Sequence, residues 1–208
     1  MLTSSQLTFS YSPEKRFTFP DLHCNDRDAL LILGRSGKGK TTLLHLLALL
    51  LKPENGSVLI NNTDLTRLSV SETAAFRAAH VGLVYQKPHF VSSLSVLDNL
   101  LLANYLAGQP QNPARARQLA EQLGFADRLP KRPHQLSQGE QQRVSIARAV
   151  MNSPNLILAD EPTSALDDEN CARVVDLLRQ QSSQVGASLI VVTHDQRLKD
   201  AFSNQVLL

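Results

Sequence analysis

The chain has 208 residues, enough for one large domain, and 42% of them are apolar, too many for a disordered chain. Its 21 Lys and Arg against 19 Asp and Glu leave a net charge of +2, too balanced to point to nucleic acid as the main partner. No basic stretch followed by an apolar run marks the start as a secretory signal. The most apolar stretch, Leu43 to Leu51, is about half of the roughly 20 residues a bilayer span needs, so any membrane role must come through a partner.

Leu2 to Phe9 and Phe17 to Phe19 have short, partly alternating strand character, separated by the turn signal Ser12-Pro13. With Ser57 to Ile60, which follows Glu54-Asn55-Gly56, they predict a small antiparallel sheet at the front of the chain. Cys24, in this region, and the distant Cys171 show neither pairing nor metal spacing and read as reduced thiols.

Ala29–Leu33 is a short apolar run of the kind that forms a buried strand. It leads into Gly34-Arg35-Ser36-Gly37-Lys38-Gly39-Lys40-Thr41, which fits G-x-x-x-x-G-K-[ST], and then into the helix-like Thr41-Thr42-Leu43-Leu44. Strand, glycine-rich turn and helix is the context a phosphate-binding loop requires. Glycines let backbone N–H groups turn inward around an anion, and the helix start adds a positive dipole end. In that reading Gly34 to Thr42 bind the nucleotide. Lys40 sits on the β- and γ-phosphates, and the Thr41 hydroxyl ligates Mg²⁺.

Three more apolar runs, Val81–Tyr85, Leu156–Ala159 and Leu189–Thr193, read as strands buried on both faces of a parallel sheet. They end in Gln86, Asp160-Glu161 and His194-Asp195, and ligands of open α/β sheets bind beyond the carboxyl ends of the strands. Between Lys87 and Pro154 the pattern is helical. Val96 to Leu102 opens one helix, Gly108 to Pro113 is a polar connector, and Ala114 to Leu123 is a second helix ended by Gly124. In Leu136-Ser137-Gln138-Gly139-Glu140-Gln141-Gln142-Arg143, Ser137 and Glu140 have capping-box spacing and Gly139 leaves the first turn bare, an open helix start suited to a phosphate. The whole predicts an α/β P-loop NTPase core with a mainly parallel sheet and an inserted helical subdomain. The core takes residues 1–86 and 155–208 of a single domain, and the subdomain takes 87–154.

The order of the loop at Gly34, Gln86, Leu136–Glu140, Leu156–Glu161, Ser164-Ala165-Leu166-Asp167 and His194 resembles the ATP-binding subunits of ABC transporters, from Tyr11 to His194. The resemblance implies two subunits packed head to tail, with Ser137 and Gly139 of one facing the γ-phosphate held by the other. It implies Mg²⁺ held by Thr41, Gln86 and Asp160, and catalysis by Glu161 as general base with His194, Gln86 and Lys40. Tyr11 matches the aromatic that stacks on adenine, and Asp167 the aspartate that reaches the opposite site. Gln138 replaces the commoner glycine, and Lys38 is an unusual extra cation in the loop.

About fifty residues separate Gln86 from Leu136, a transporter-sized insertion without a coiled coil. The texture from Val81 to Gln86 and at Asp98-Asn99-Leu100 is similar to the compact bacterial branch of lipoprotein-release, macrolide-export and cell-division ATPases. The expectation is a peripheral ATPase on the cytoplasmic face of the cell membrane, driving an integral membrane permease in export, extraction or force transmission. A cytosolic switch on nucleic acid or ribosomes is the second reading. The short stretch after His194 leaves no room for a regulatory domain.

Overall fold

A computed structural model describes residues 1–164 and 166–208; Ala165, inside the predicted Ser164–Asp167 motif, lies outside the described residues. The chain opens with β1 (Leu2–Ser12), β2 (Lys15–Thr18), β3 (Leu22–Cys24) and β4 (Ala29–Leu33), followed by α1 (Lys40–Leu47). Strands β5 (Asn55–Ile60) and β6 (Thr63–Asp64), helix α2 (Val70–His80) and strand β7 (Val81–Val84) come next. Three helices follow, α3 (Val96–Leu106), α4 (Pro113–Gln122) and α5 (Gln138–Val150). The order closes with β8 (Leu156–Asp160), α6 (Asp168–Val185), β9 (Ser188–Thr193) and β10 (Asn204–Leu207).

Two sheets form. The front strands pair antiparallel in the order β2-β1-β5-β6, with β3 also on β1. The second sheet is parallel throughout, in the order β10-β4-β9-β8-β7. Every residue of β8 and β9 is buried, which is why these runs lack the polar alternation of a half-exposed strand. β10 is short and mixed in polarity, as an edge strand can be, and lies beside β4.

The two-residue side-chain period divides the core between the faces of the parallel sheet. Leu31, Leu33, Ile157, Ala159, Leu189 and Val191 pack on one side with α3, α4, α5 and α6. Leu30, Ile32, Leu158, Ile190 and Val192 pack on the other, with α1 and the antiparallel sheet. The helices from 96 to 150 therefore share a continuous apolar core with one face of the sheet. The approach is closest at Gly82, where a Cβ would lie 2.4 Å from the Ala149 carbonyl oxygen; only a residue without a side chain lets α5 press on β7 this tightly. Asn152 ties the same region together, donating to the carbonyls of Ala78 and Ala103 and accepting from Asn104.

Because β4, β9, β8 and β7 are neighbours and all parallel, their carboxyl ends open on one edge. Gly34, His194, Asp160-Glu161 and Gln86 are thereby delivered to one place, although they span more than half of the chain.

Candidate nucleotide site

The glycine loop begins where β4 stops. The Gly34 amide donates to the Thr193 carbonyl at 3.1 Å, tying the loop to the end of β9. Gly39 caps α1 in the left-handed conformation, φ +88°, and a Cβ there would lie 2.7 Å from the Phe17 ring, so glycine is required twice over. No side chain caps α1 and no acidic residue occupies its first turn, so its N–H groups and positive dipole end face the loop unneutralised. Lys40 is 7% exposed. Its ammonium donates to the carbonyls of Gly34 at 2.9 Å and Arg35 at 3.3 Å, and pairs with Glu161 Oε1 at 3.2 Å.

Asp160 and Glu161 are adjacent in sequence and differ in surroundings. Asp160 is 6% exposed, and its Oδ1 is buried without a hydrogen-bond partner among the described residues. Burial pushes its carboxyl above the ordinary range, opposed by a hydrogen bond from Thr41. An orphaned carboxylate oxygen beside a threonine hydroxyl fits a hard cation such as Mg²⁺. Among the described residues no three His, Cys, Asp or Glu side chains converge as a metal cage. An ion held here would therefore complete its shell from phosphate and water, the usual habit of Mg²⁺.

Glu161 has a left-handed backbone, φ 47°, a conformation uncommon for a residue with a side chain. It accepts from Thr193 Oγ1 at 2.7 Å, from the His194 amide at 3.2 Å and from His194 Nδ1 at 2.9 Å. Burial pushes this carboxyl up, but the bonds from His194, Thr193 and Lys40 together outweigh burial and hold it below the ordinary glutamate range. Gln86 donates from Nε2 to Ser164 Oγ at 2.9 Å.

Glu161 and Gln86 border one cleft of about 410 Å³, whose lining also includes Ser36, Gly37, Thr41 and His194; Asp160 lies outside the lining, joined to it through Thr41. Gly39, Lys40 and Thr42 line it too. Gly34 and Arg35 lie outside its lining, their carbonyls accepting from Lys40, and Lys38 is exposed outside it. Tyr11 also lies outside the lining but is anchored to it, its hydroxyl 3.3 Å from Thr42 Oγ1. Lys15 and Phe17 do line the cleft; the short strand that carries them follows a turn, and nothing in its spacing marks either residue as functional.

Ser137, Gly139 and Asp167 are elsewhere. They border a second hollow, of about 640 Å³, between the starts of α5 and α6. Ser137 forms the predicted capping box, accepting from the Glu140 amide at 3.3 Å while Glu140 accepts from the Ser137 amide at 2.7 Å. Arg128, which spacing does not reveal, pairs with Glu140 at 2.6 Å and, with the Ser137 bonds, holds that carboxyl at about 2. Gly139 is open, with only Arg143 Nη1, at 3.7 Å, near the position of a Cβ. Asp167 caps α6 by accepting from the Asn170 amide and side chain, each at 2.9 Å. A smaller hollow of about 250 Å³ lies between the two, lined by Gln86, Glu161, Ser164, Gln138 and Leu166. It shares Gln86 and Glu161 with the first cleft and Gln138 and Leu166 with the second, so the three form one continuous face.

Residues 19–164 match the family model described as ABC transporter. The chain is 38% identical over 190 residues to the lipoprotein-releasing system ATP-binding protein LolD of Colwellia psychrerythraea, covering 90% of this chain and 74% of that protein. It is 40% identical over 188 residues to LolD of Syntrophus aciditrophicus, covering 89% and 84%. Among solved structures, the ATP-binding cassette MJ0796, a dimer in a post-hydrolysis state with ADP and Pi, superposes with a TM-score of 0.89 at 30% identity, over 100% of this chain and 94% of that one. The cassette cbiO1 of Clostridium perfringens, part of the complex cbiONQ, gives 0.87 at 25% identity, over 99% and 83%. By the family model, the sequence identity to these relatives and the shared fold, this chain is an ABC-type ATPase and belongs to the ATP-binding subunits of ABC transporters.

Proposed function

We infer that the chain powers a membrane permease that extracts lipoproteins from the cell membrane. The observation that carries this reading is the similarity to lipoprotein-releasing ATP-binding proteins over nine-tenths of the chain or more. Among the described residues no helix is long and apolar enough to cross a membrane, so attachment to its cytoplasmic face falls to the permease. Core residues 1–86 and 155–208 hold the nucleotide, and the helical subdomain, 87–154, carries the signature.

Two copies act together in this reading. Within one chain the signature serine and the glycine loop belong to separate hollows on the same face, so the second half of each site comes from another copy. A head-to-tail pair sets Ser137 and Gly139 of one subunit against the triphosphate on Gly34 to Thr42 of the other, with Asp167 at the junction. Tyr11 stacks on the adenine. Thr41, Asp160 and Gln86 would hold Mg²⁺, which would supply charge neutralisation on the phosphates. His194 holds the attacking water, and Glu161, released from Lys40 by the incoming phosphate, accepts its proton. Loss of the γ-phosphate removes the bridging charge and opens the pair.

The permease sits in the groove of about 380 Å³ that α2, β7, α3 and α5 enclose, lined by Leu83, Tyr85, Leu102 and Leu106. Leu106 is 66% exposed there, and Tyr85 immediately precedes Gln86, so movement in the groove reaches the nucleotide cleft through one peptide bond. The test is reconstitution with a candidate permease in lipid vesicles. ATP turnover should rise when a lipid-anchored protein is supplied, and that protein should leave the vesicle. Turnover indifferent to lipoprotein, with the chain instead sedimenting on ribosomes, would reject the reading.

A further inference from the structure

The cleft contains one cation that its phosphate-binding motif does not account for. Lys15 opens β2, lines the same cleft as Ser36, Gly37 and Lys40, and forms no salt bridge among the described residues. Its ammonium lies over the Tyr11 ring, 5.5 Å from the centroid. That ring is held from its other sides. Its hydroxyl meets Thr42, and it packs edge to face with Phe9 at 4.9 Å and Phe17 at 6.3 Å. Tyr11 is still 54% exposed, so Lys15 lies over a ring with open surface. Phe17 in turn packs against Gly39, which fixes this aromatic hairpin to the phosphate loop and holds Lys15 at the cleft rim.

We propose that Lys15 is a nucleotide-contacting residue, turning from the Tyr11 ring into the cleft to pair with the phosphates when a nucleotide enters. The assignment rests on the nucleotide reading of the cleft and adds a residue to it. An exposed cation–π contact is weaker than a charge-assisted hydrogen bond to phosphate, so the exchange runs toward phosphate. The same movement clears the face of Tyr11 for the base. One side chain thus serves both ends of the nucleotide, guarding the ring when the cleft holds no anion and leaving it when an anion arrives. Lys38, inside the loop motif but outside the lining, has no such position.

The experiment measures equilibrium binding of ATP and ADP, with Mg²⁺, to the full chain and to Lys15→Ala, Lys15→Arg and Lys40→Ala. Lys15 is exposed, so its variants should keep the melting temperature of the parent, which is checked first. Lys15→Ala is expected to bind both nucleotides about tenfold more weakly, the scale of one partly screened charged contact, and Lys15→Arg to restore most of the loss. Affinity of Lys15→Ala within twofold of the parent, or tighter because the ring is uncovered, overturns the proposal. If Lys40→Ala also binds like the parent, the nucleotide reading of the cleft fails with it; if only Lys15→Ala does, that reading stands and Lys15 alone is removed.

Discussion

Lys40 and Glu161 hold each other at 3.2 Å, and in the proposed reaction each acts once the other is released. Lys40 is nearly buried, and two of its acceptors are carbonyls of its own loop, so the charge is held in place; in the proposed site it meets a phosphate. Lys40→Ala should weaken ATP binding by about tenfold to a hundredfold, the loss expected for a charge-assisted bond of about 1.5–3 kcal/mol, as read by calorimetry. Glu161→Gln keeps the shape of the carboxylate and removes its basicity. ATP binding should persist while hydrolysis slows by roughly 10²–10⁴ in a phosphate-release assay; normal turnover would show that another group takes the proton. The chemistry of these two residues is legible in sequence because the motif spacing and the ends of apolar strands mark them. Their mutual ion pair, the clamp from Thr193 and the bond between Gln86 and Ser164 are not, since each joins residues far apart in the chain.

Among the elements, the contact of α5 with β7 is the tightest constraint on the signature helix. Gly82→Ala would place a methyl group 2.4 Å from the Ala149 carbonyl oxygen, a distance that backbone cannot accept without moving. The expected cost is about 1–3 kcal/mol, or a fall in melting temperature of roughly 2–4 °C per kcal/mol. An unchanged melting curve would mean that α5 shifts freely over the strand. Strands β1, β2, β4, β5, β7, β8 and β9 and the helices α1, α3, α4 and α5 carry apolar runs, caps or stop signals that reveal them, whereas β3 and β6, three and two residues long, are too short to show a pattern. Helix α2 does not announce itself in the same way. Its Ser69–Glu72 capping box is present, but none of its residues is buried, so it has no strong apolar stripe. Helix α6 opens on charged residues and its cap is Asp167, a residue whose family resemblance suggests a different task. β10 is four residues long, half of them polar, and becomes a strand only because β4 offers it an edge.

For the whole molecule, the separation of the two hollows makes assembly the decisive measurement. Gln138 is exposed at the start of α5 and borders both the signature hollow and the middle one, without capping the helix. Gln138→Trp should therefore leave nucleotide binding by a single chain within about twofold and prevent the ATP-dependent pair, seen as a mass that stays monomeric by light scattering in a Glu161→Gln background. Loss of single-chain binding would contradict a site completed by a second copy. That shared face could not be read from spacing, because it is made by the adjacency of α5, α6 and the sheet edge rather than by any run of residues.

The near-contact at Gly82 has a mechanical corollary. Ala149 is close to the far end of α5, and the twelve residues back to Ser137 make an arm of about 18 Å. A tilt of about five degrees about that fulcrum carries the serine through roughly 1.5 Å, half the length of a hydrogen bond. In the proposed pair, the registration of one subunit's serine on its neighbour's nucleotide is thus set by how squarely a helix rests on a missing methyl group.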